Sequence, residues 1–195
     1  MKNIYIILIL IFSFTIISCA KKSDTSSTTT TTEVEGTWLT NCFQSGDYYH
    51  IHSATVTGTD VVVKYEWHTD SGCSTDYVMW EDTYDSLSIG DEITFSDGTK
   101  GHQFTLNIVN LKLTPQIAPA VSSLNTDNSC GYSDWALNTA KDYTGKNCSS
   151  TAYPVANTSI QGLYNLVGNN LFIGTLNTTG SYPTEVSTTI TYVKQ

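Results

Sequence analysis

Arginine is missing from all 195 residues, and nine lysines stand against eighteen Asp and Glu, a formal charge of −9. A chain this poor in positive charge offers no basic stripe for a phosphate backbone, which argues against nucleic acid as a partner. There is no G-x-S-x-G turn, no H-E-x-x-H helix and no Gly-rich phosphate loop, so no catalytic nucleophile, zinc-hydrolase site or nucleotide cofactor is assigned. None of the five cysteines forms a C-x-x-C pair, the spacing on which structural zinc and thioredoxin-like redox centres rely. Long apolar runs are equally scarce. The one present, Ile4 to Ile17, is shorter than the about 20 residues of an ordinary spanning helix.

That run has a different use. Met1-Lys2-Asn3 gives a short positive start, and the apolar stretch closes on Ile16-Ile17-Ser18-Cys19. A basic start, an apolar middle and a small residue before the cut make a secretory signal over 1–18. Ile16-Ile17-Ser18-Cys19 resembles the bacterial lipobox, which implies that Cys19 receives a diacylglyceryl group and becomes the mature N-terminus. Acyl chains such as palmitate contribute about 0.8 kcal/mol per buried methylene, and two or more give stable anchoring. Ala20 rather than Asp follows the cysteine, so in a double-membrane cell the expected address is the outer membrane or cell surface. Lys21 to Thr32 reads KKSDTSSTTTTT; with nothing apolar to bury, it is expected to be a tether. Residues 19–34 are therefore assigned to the lipidated cysteine and tether, and 35–195 to one domain.

Four cysteines remain for the domain: Cys42, Cys73, Cys130 and Cys148. An even number in an exported chain points to disulfides. Three connectivities are possible, and the expected pairs are Cys42–Cys73 and Cys130–Cys148, each closing a short loop.

Period-two patterning dominates the domain. Val61, Val63, Tyr65 and Trp67 alternate with Val62, Lys64, Glu66 and His68, as in a half-buried strand. Tyr48 to Thr57 is its expected partner, through a hairpin at Gly58-Thr59-Asp60, and Tyr77 to Ile89 supplies a third strand. Phe104, Leu106 and Ile108 set one parity, whereas Val109, Leu111 and Leu113 take the other. A parity switch within one strand is the mark of a β-bulge. Pro119 suits the start of a short helix through Val121 and Leu124. Further strands are expected at Trp135 to Tyr143, Ile160 to Leu166, Leu171 to Ile173 and Val186 to Tyr192, with a turn at Gly168-Asn169-Asn170. The class is all-β with one short helix; pattern alone leaves barrel and sandwich open.

Gly36-Thr37-Trp38 resembles the G-x-W signature of lipocalins, whose Trp closes one end of an eight-stranded barrel. More of the chain resembles a family of bacterial lipoproteins with lipocalin-like barrels. Its stations are Gly36-Thr37-Trp38 with Cys42, Asp70-Ser71-Gly72-Cys73, Thr114-Pro115, Cys130-Gly131 with Asp134-Trp135, Lys141-Asp142-Tyr143-Thr144-Gly145-Lys146 with Cys148, Tyr182-Pro183-Thr184 and Tyr192-Val193-Lys194. The resemblance implies a single antiparallel, lipocalin-like barrel of about eight to ten strands, and it carries no activity across. Lipocalins set an Arg or Lys of the last strands against the signature Trp; here only Lys194 lies near the end.

Candidate chemistry is sparse. His50 and His52 project from one face of a strand and, with Glu66 and His68, have metal-ligand character; the expected arrangement is a polar outer face without metal, since zinc needs three or four convergent ligands. Glu81, Asp82 and Asp85, near Tyr84 with Asp91 and Glu92 beyond, are expected to be solvated in a turn-like stretch. Trp38, Trp67, Trp80, Trp135 and twelve tyrosines suit a barrel core, or a pocket or platform for a lipid, an apolar molecule or a sugar ring. Tyr65 and Trp67 are the candidate ligand-binding residues. The expected function is binding without catalysis or cofactor: a small apolar ligand in the barrel, or glycan or protein held by its loops. Mass spectrometry of the mature N-terminal peptide is expected to show acylated Cys19; an unmodified N-terminus at Ala20 or later would contradict the lipobox assignment.

Overall fold

The computed structural model describes residues 32–95 and 98–195. The signal segment, Cys19 and nearly all of the tether lie outside these residues. In chain order the elements are β1 (Gly36–Thr40), β2 (Phe43–Ser45), β3 (Tyr48–Thr57), β4 (Asp60–His68), β5 (Asp76–Thr94), β6 (Lys100–Pro115), α1 (Ala118–Thr126), β7 (Lys141–Asp142), β8 (Asn147–Cys148), β9 (Thr151–Ala152), β10 (Ser159–Val167), β11 (Asn170–Ile173) and β12 (Tyr192–Lys194).

Eight of these strands form a closed antiparallel ring, β1-β3-β4-β5-β6-β10-β11-β12, with β12 pairing back onto β1. Each ring strand pairs with its neighbour in sequence, which is an up-and-down barrel and leaves no open edge in the ring. Closure happens at Trp38, whose register partners are Ala54 on one side and Lys194 on the other. The indole is fully buried; its Nε1 donates to the Val34 carbonyl at 2.8 Å, and the Lys194 ammonium stands 5.2 Å from the ring centroid, within cation–π range. Lys194 is thus the basic residue that stands against Trp38. Val34 is itself buried in the core, so the domain begins before residue 35.

The two ends of the barrel differ. At one end, tight turns at Gly58-Thr59 and Gly168-Asn169 and the short β5–β6 hairpin join the strands. Gly58 and Gly168 take φ of +61° and +60°, a region open to glycine at no steric cost. The chain enters at this end, where Glu35 accepts the Gly58 amide at 3.0 Å. The longer connections, β1–β3, β4–β5, β6–β10 and β11–β12, gather at the other end. Both expected disulfides are present there. Cys42–Cys73 ties the β1–β2 link to the β4–β5 loop, and Cys130–Cys148 lies within the β6–β10 connection.

The ladder decides which side chains share the interior. Consecutive layers are Val56, Val61 and Tyr84; then Ala54, Val63 and Asp82; then His52, Tyr65 and Trp80. At Gly162 a Cβ would meet the Phe104 ring at 2.1 Å, so glycine there lets the phenyl lie across the neighbouring strand. The parity switch in β6 is a bulge: Thr83 pairs with Asn110 and Tyr84 with Ile108, leaving Val109 unpaired and exposed. The same strand thereby keeps Ile108, Leu111 and Leu113 buried.

Two expected strands do not form. Between Trp135 and Tyr143 only Lys141–Asp142 pairs, against Leu113 and Lys112. Trp135 instead packs in the long connection, its Nε1 donating to the Ser129 carbonyl at 3.2 Å and its backbone clasped by the Asn125 amide. In Val186 to Tyr192 only Tyr192 pairs, in the strand that runs on to Lys194. The Thr- and Ser-rich remainder lies over the long-loop end, where Ser187 and Ile190 line the barrel cavity. Its β-branched content favours extended backbone, but beyond the Ser187 amide's bond to the Ile173 carbonyl at 3.1 Å it joins no ladder before Tyr192.

Candidate functional site

Two adjoining cavities occupy the barrel. The first, about 270 Å3, is lined chiefly by apolar side chains such as Ala54, Val61, Val63, Leu106 and Leu171. The second, about 440 Å3, lies toward the long-loop end and is walled by Trp67, Trp80, Tyr143 and Tyr153, with His50 and Asp82. His52, Tyr65 and Ile190 line both. Ligand pockets typically span about 300–1,000 Å3, so the pair is of that size.

Of the two candidate binding residues, Tyr65 stands at the junction and Trp67 in the second chamber. Alternation along β4 points both inward, as their parity requires. The histidines differ from expectation. His50 and His52 share the inward face of β3 with Ala54 and Val56, not a polar outer one, because burial of that strand follows its small apolar residues. The His50 Nε2 lies 3.1 Å from the Ser45 carbonyl and so carries the proton toward it. Glu66 and His68 have the opposite parity on β4; His68 is buried on that other face, with Nδ1 3.2 Å from Asp76. The four candidate ligands therefore do not converge, and among the described residues no group of three or more His, Cys, Asp or Glu comes together to hold a metal.

The acidic stretch also sorts by parity. Glu81 faces out and pairs with Lys64 at 3.4 Å, and Glu92 pairs with Lys100 at 2.6 Å in the β5–β6 hairpin. Asp82 points the other way, between Trp80 and Tyr84, and is not the solvated carboxylate expected of a turn. Its Oδ2 accepts from the Tyr84 hydroxyl at 3.1 Å and its Oδ1 from the Tyr143 hydroxyl at 3.0 Å. Burial raises its pKa, and the two tyrosines pull in the opposite direction. Tyr84 and Tyr143 are in turn held protonated, by burial first and by the nearby carboxylate.

Tyr143 arrives from the long connection, which is how a loop completes the wall of the chamber. Its backbone amide donates to Leu111 at 2.9 Å, and the Thr144 hydroxyl accepts the Leu111 amide at 2.8 Å, pinning the loop just past the bulge. The rings then interlock: Trp80 meets Tyr143 edge-on at 5.1 Å, and Tyr143 meets Tyr153 at 4.6 Å. Asp82, Tyr143 and Tyr153 were not among the candidate binding residues. For Asp82 the signal was available, since it keeps the parity of Val78, Trp80 and Tyr84; for the loop tyrosines no local pattern exists.

No protein-family model matches the chain, and no curated protein matches it. The site is therefore argued from its own chemistry.

His52 makes one consequence measurable. Burial, and then the His50 ring beside it, push its pKa down to about 4 from an ordinary 6.5. Above pH 6.5 it is neutral folded and unfolded alike; between 6.5 and 4 the unfolded chain takes a proton that the folded barrel refuses. Stability is thus lost as pH falls through that window. Each unit corresponds to about 1.4 kcal/mol, and partial solvent access reduces the total to about 2 kcal/mol. Urea unfolding at pH 7, 5.5 and 4.5 is expected to show His52→Phe losing less stability on acidification than the parent chain. Parallel losses in the two proteins would contradict the assignment.

Proposed function

We propose that this chain is a membrane-tethered carrier that holds a small apolar or amphipathic molecule inside its barrel. The observation that carries the proposal is the interior itself: a ring of eight strands enclosing an apolar cavity that adjoins an aromatic one across His52, Tyr65 and Ile190, rather than a packed plug. Aliphatic side chains with Tyr84, Phe104, Tyr164 and Tyr192 line the apolar part, and Trp67, Trp80, Tyr143 and Tyr153 stand around the second chamber instead of filling it. The apolar lining supplies affinity by removing ligand surface from water, and a few polar groups at one end supply orientation.

Lipid on Cys19 fits this role. A tether of roughly twelve residues, at most about 3.5 Å each, keeps the domain within about 40 Å of the bilayer. The chain enters at the tight-turn end, so the long-loop end and its chamber would face away from the membrane, toward whatever delivers or receives the ligand. The resemblance to lipocalin-like lipoproteins agrees with this arrangement. Glycan or protein adhesion through the loops is the competing function, and it needs no cavity.

Binding is tested with the mature chain carrying Cys19→Ser, which removes the acyl group and leaves the rest intact. The neutral fluorophore N-phenyl-1-naphthylamine is expected to bind saturably, one per chain. Ala54→Phe, which places a ring in the apolar cavity, is expected to weaken it about ten-fold or more, equivalent to about 1.4 kcal/mol, with the circular dichroism spectrum unchanged. Failure of apolar probes to bind, together with retention on immobilised glycans, would overturn the carrier function in favour of adhesion.

A further inference from the structure

The aromatic chamber holds a buried acid. Among the described residues, Asp82 is the one carboxylate on its wall, and no lysine lines it. Its two oxygens stand 3.1 and 3.0 Å from the Tyr84 and Tyr143 hydroxyls, two donors that favour the ionised form. The imidazole at the junction supplies no positive charge either, because burial keeps His52 neutral at pH 7. Around this carboxylate stand Trp67, Trp80, Tyr65, Tyr143 and Tyr153. Indole and phenol faces are negative and attract cations, most strongly where water is excluded.

We propose that the chamber receives the ammonium head of an amphipathic amine, primary or quaternary, whose apolar tail lies in the adjoining cavity. The proposal rests on the carrier function above and specifies the chemical class of its ligand. The geometry supports each half. The head meets one carboxylate and several π faces, and the tail passes Tyr65 and His52 into a cavity walled by Ala54, Val61, Val63 and Leu106. A fatty-acid carboxylate in the same place would face Asp82 with no lysine to offset the repulsion. A free metal ion is a poorer occupant, since a single carboxylate and two imidazoles on the wall leave it short of donors. Burial raises the pKa of Asp82, and an incoming ammonium offsets that penalty, so the cation is also what makes the buried carboxylate comfortable.

The test displaces N-phenyl-1-naphthylamine from the mature Cys19→Ser chain with dodecyltrimethylammonium, dodecylamine, dodecanol and dodecanoate, all below their micelle concentrations. The two ammonium compounds are expected to bind about 30-fold more tightly than dodecanoate, the factor that a desolvated cation–π and carboxylate contact supplies, with dodecanol between them. Asp82→Asn keeps the shape and removes the charge; its Oδ1 accepts from one tyrosine hydroxyl while its Nδ2 donates to the oxygen of the other. It is expected to weaken the ammonium compounds about ten-fold while leaving dodecanol within about two-fold. Equal or tighter binding of dodecanoate, or an Asp82→Asn effect shared equally by all heads, would overturn the head-group assignment while leaving the carrier function standing. Should Asp82→Asn fail to fold, the head-group series on the parent chain decides alone. Failure of the neutral fluorophore to bind would sink both proposals.

Discussion

Trp38 stands where the ring closes. Its strand pairs with β3 along one edge and β12 along the other, so the short last strand, three residues long, completes the barrel only because the first strand is held in place. The indole is held three ways: by the Val34 carbonyl, by burial, and by Lys194 over its face. Without that closure the sheet would have two free edges, and the side chains now facing inward would have no opposite wall. The interior cavities exist because the ring is closed and because its layers include a residue as small as Ala54.

Leaving an interior partly open costs packing stability, since atoms lining a void lose dispersion partners. The architecture offsets this at the end where the ring is least regular. One disulfide joins the β1–β2 link to the β4–β5 loop across 31 residues, and the other closes 18 residues within the long connection. Chain-entropy reasoning assigns each about 3–4 kcal/mol. The hydrogen bonds of Tyr143 and Thr144 to β6 and Asp82 then draw that connection against the barrel, so a loop rather than a strand supplies part of the wall. Structural stapling and construction of the chamber are the same set of contacts.

Much of this was legible in the residues. The parity switch at Ile108 and Val109 marked the β6 bulge, Pro119 the short helix, and the inward parity of Tyr65 and Trp67 placed them in the interior. The departures at His50, His52 and Asp82 share one cause: on a strand, parity overrides polarity. Imidazole is polar, yet His50 and His52 share their face with Ala54 and Val56. Asp82 neighbours Glu81 and Asp85 in sequence, yet it shares its face with Val78, Trp80 and Tyr84. A strand gives each face alternate residues regardless of their chemistry, and the one acid among apolar inward positions was the informative one. Trp135 to Tyr143 and Val186 to Tyr192 are different. Whether such segments pair depends on a free neighbouring edge, which no local sequence records, and the same is true of loop tyrosines that reach the chamber.

The central claim is that one molecule occupies both chambers, tail in the apolar part and head beside Asp82. Isotope-filtered nuclear Overhauser measurements on the labelled mature Cys19→Ser chain with bound dodecyltrimethylammonium address it most directly. The account predicts contacts from the alkyl chain to Val61, Leu106 and Leu171, and from the N-methyl protons to Trp80 and Tyr143. Contacts confined to the groove on the outer wall, lined by Phe172, Tyr182 and Val186, or a head group placed among the valines, would contradict it.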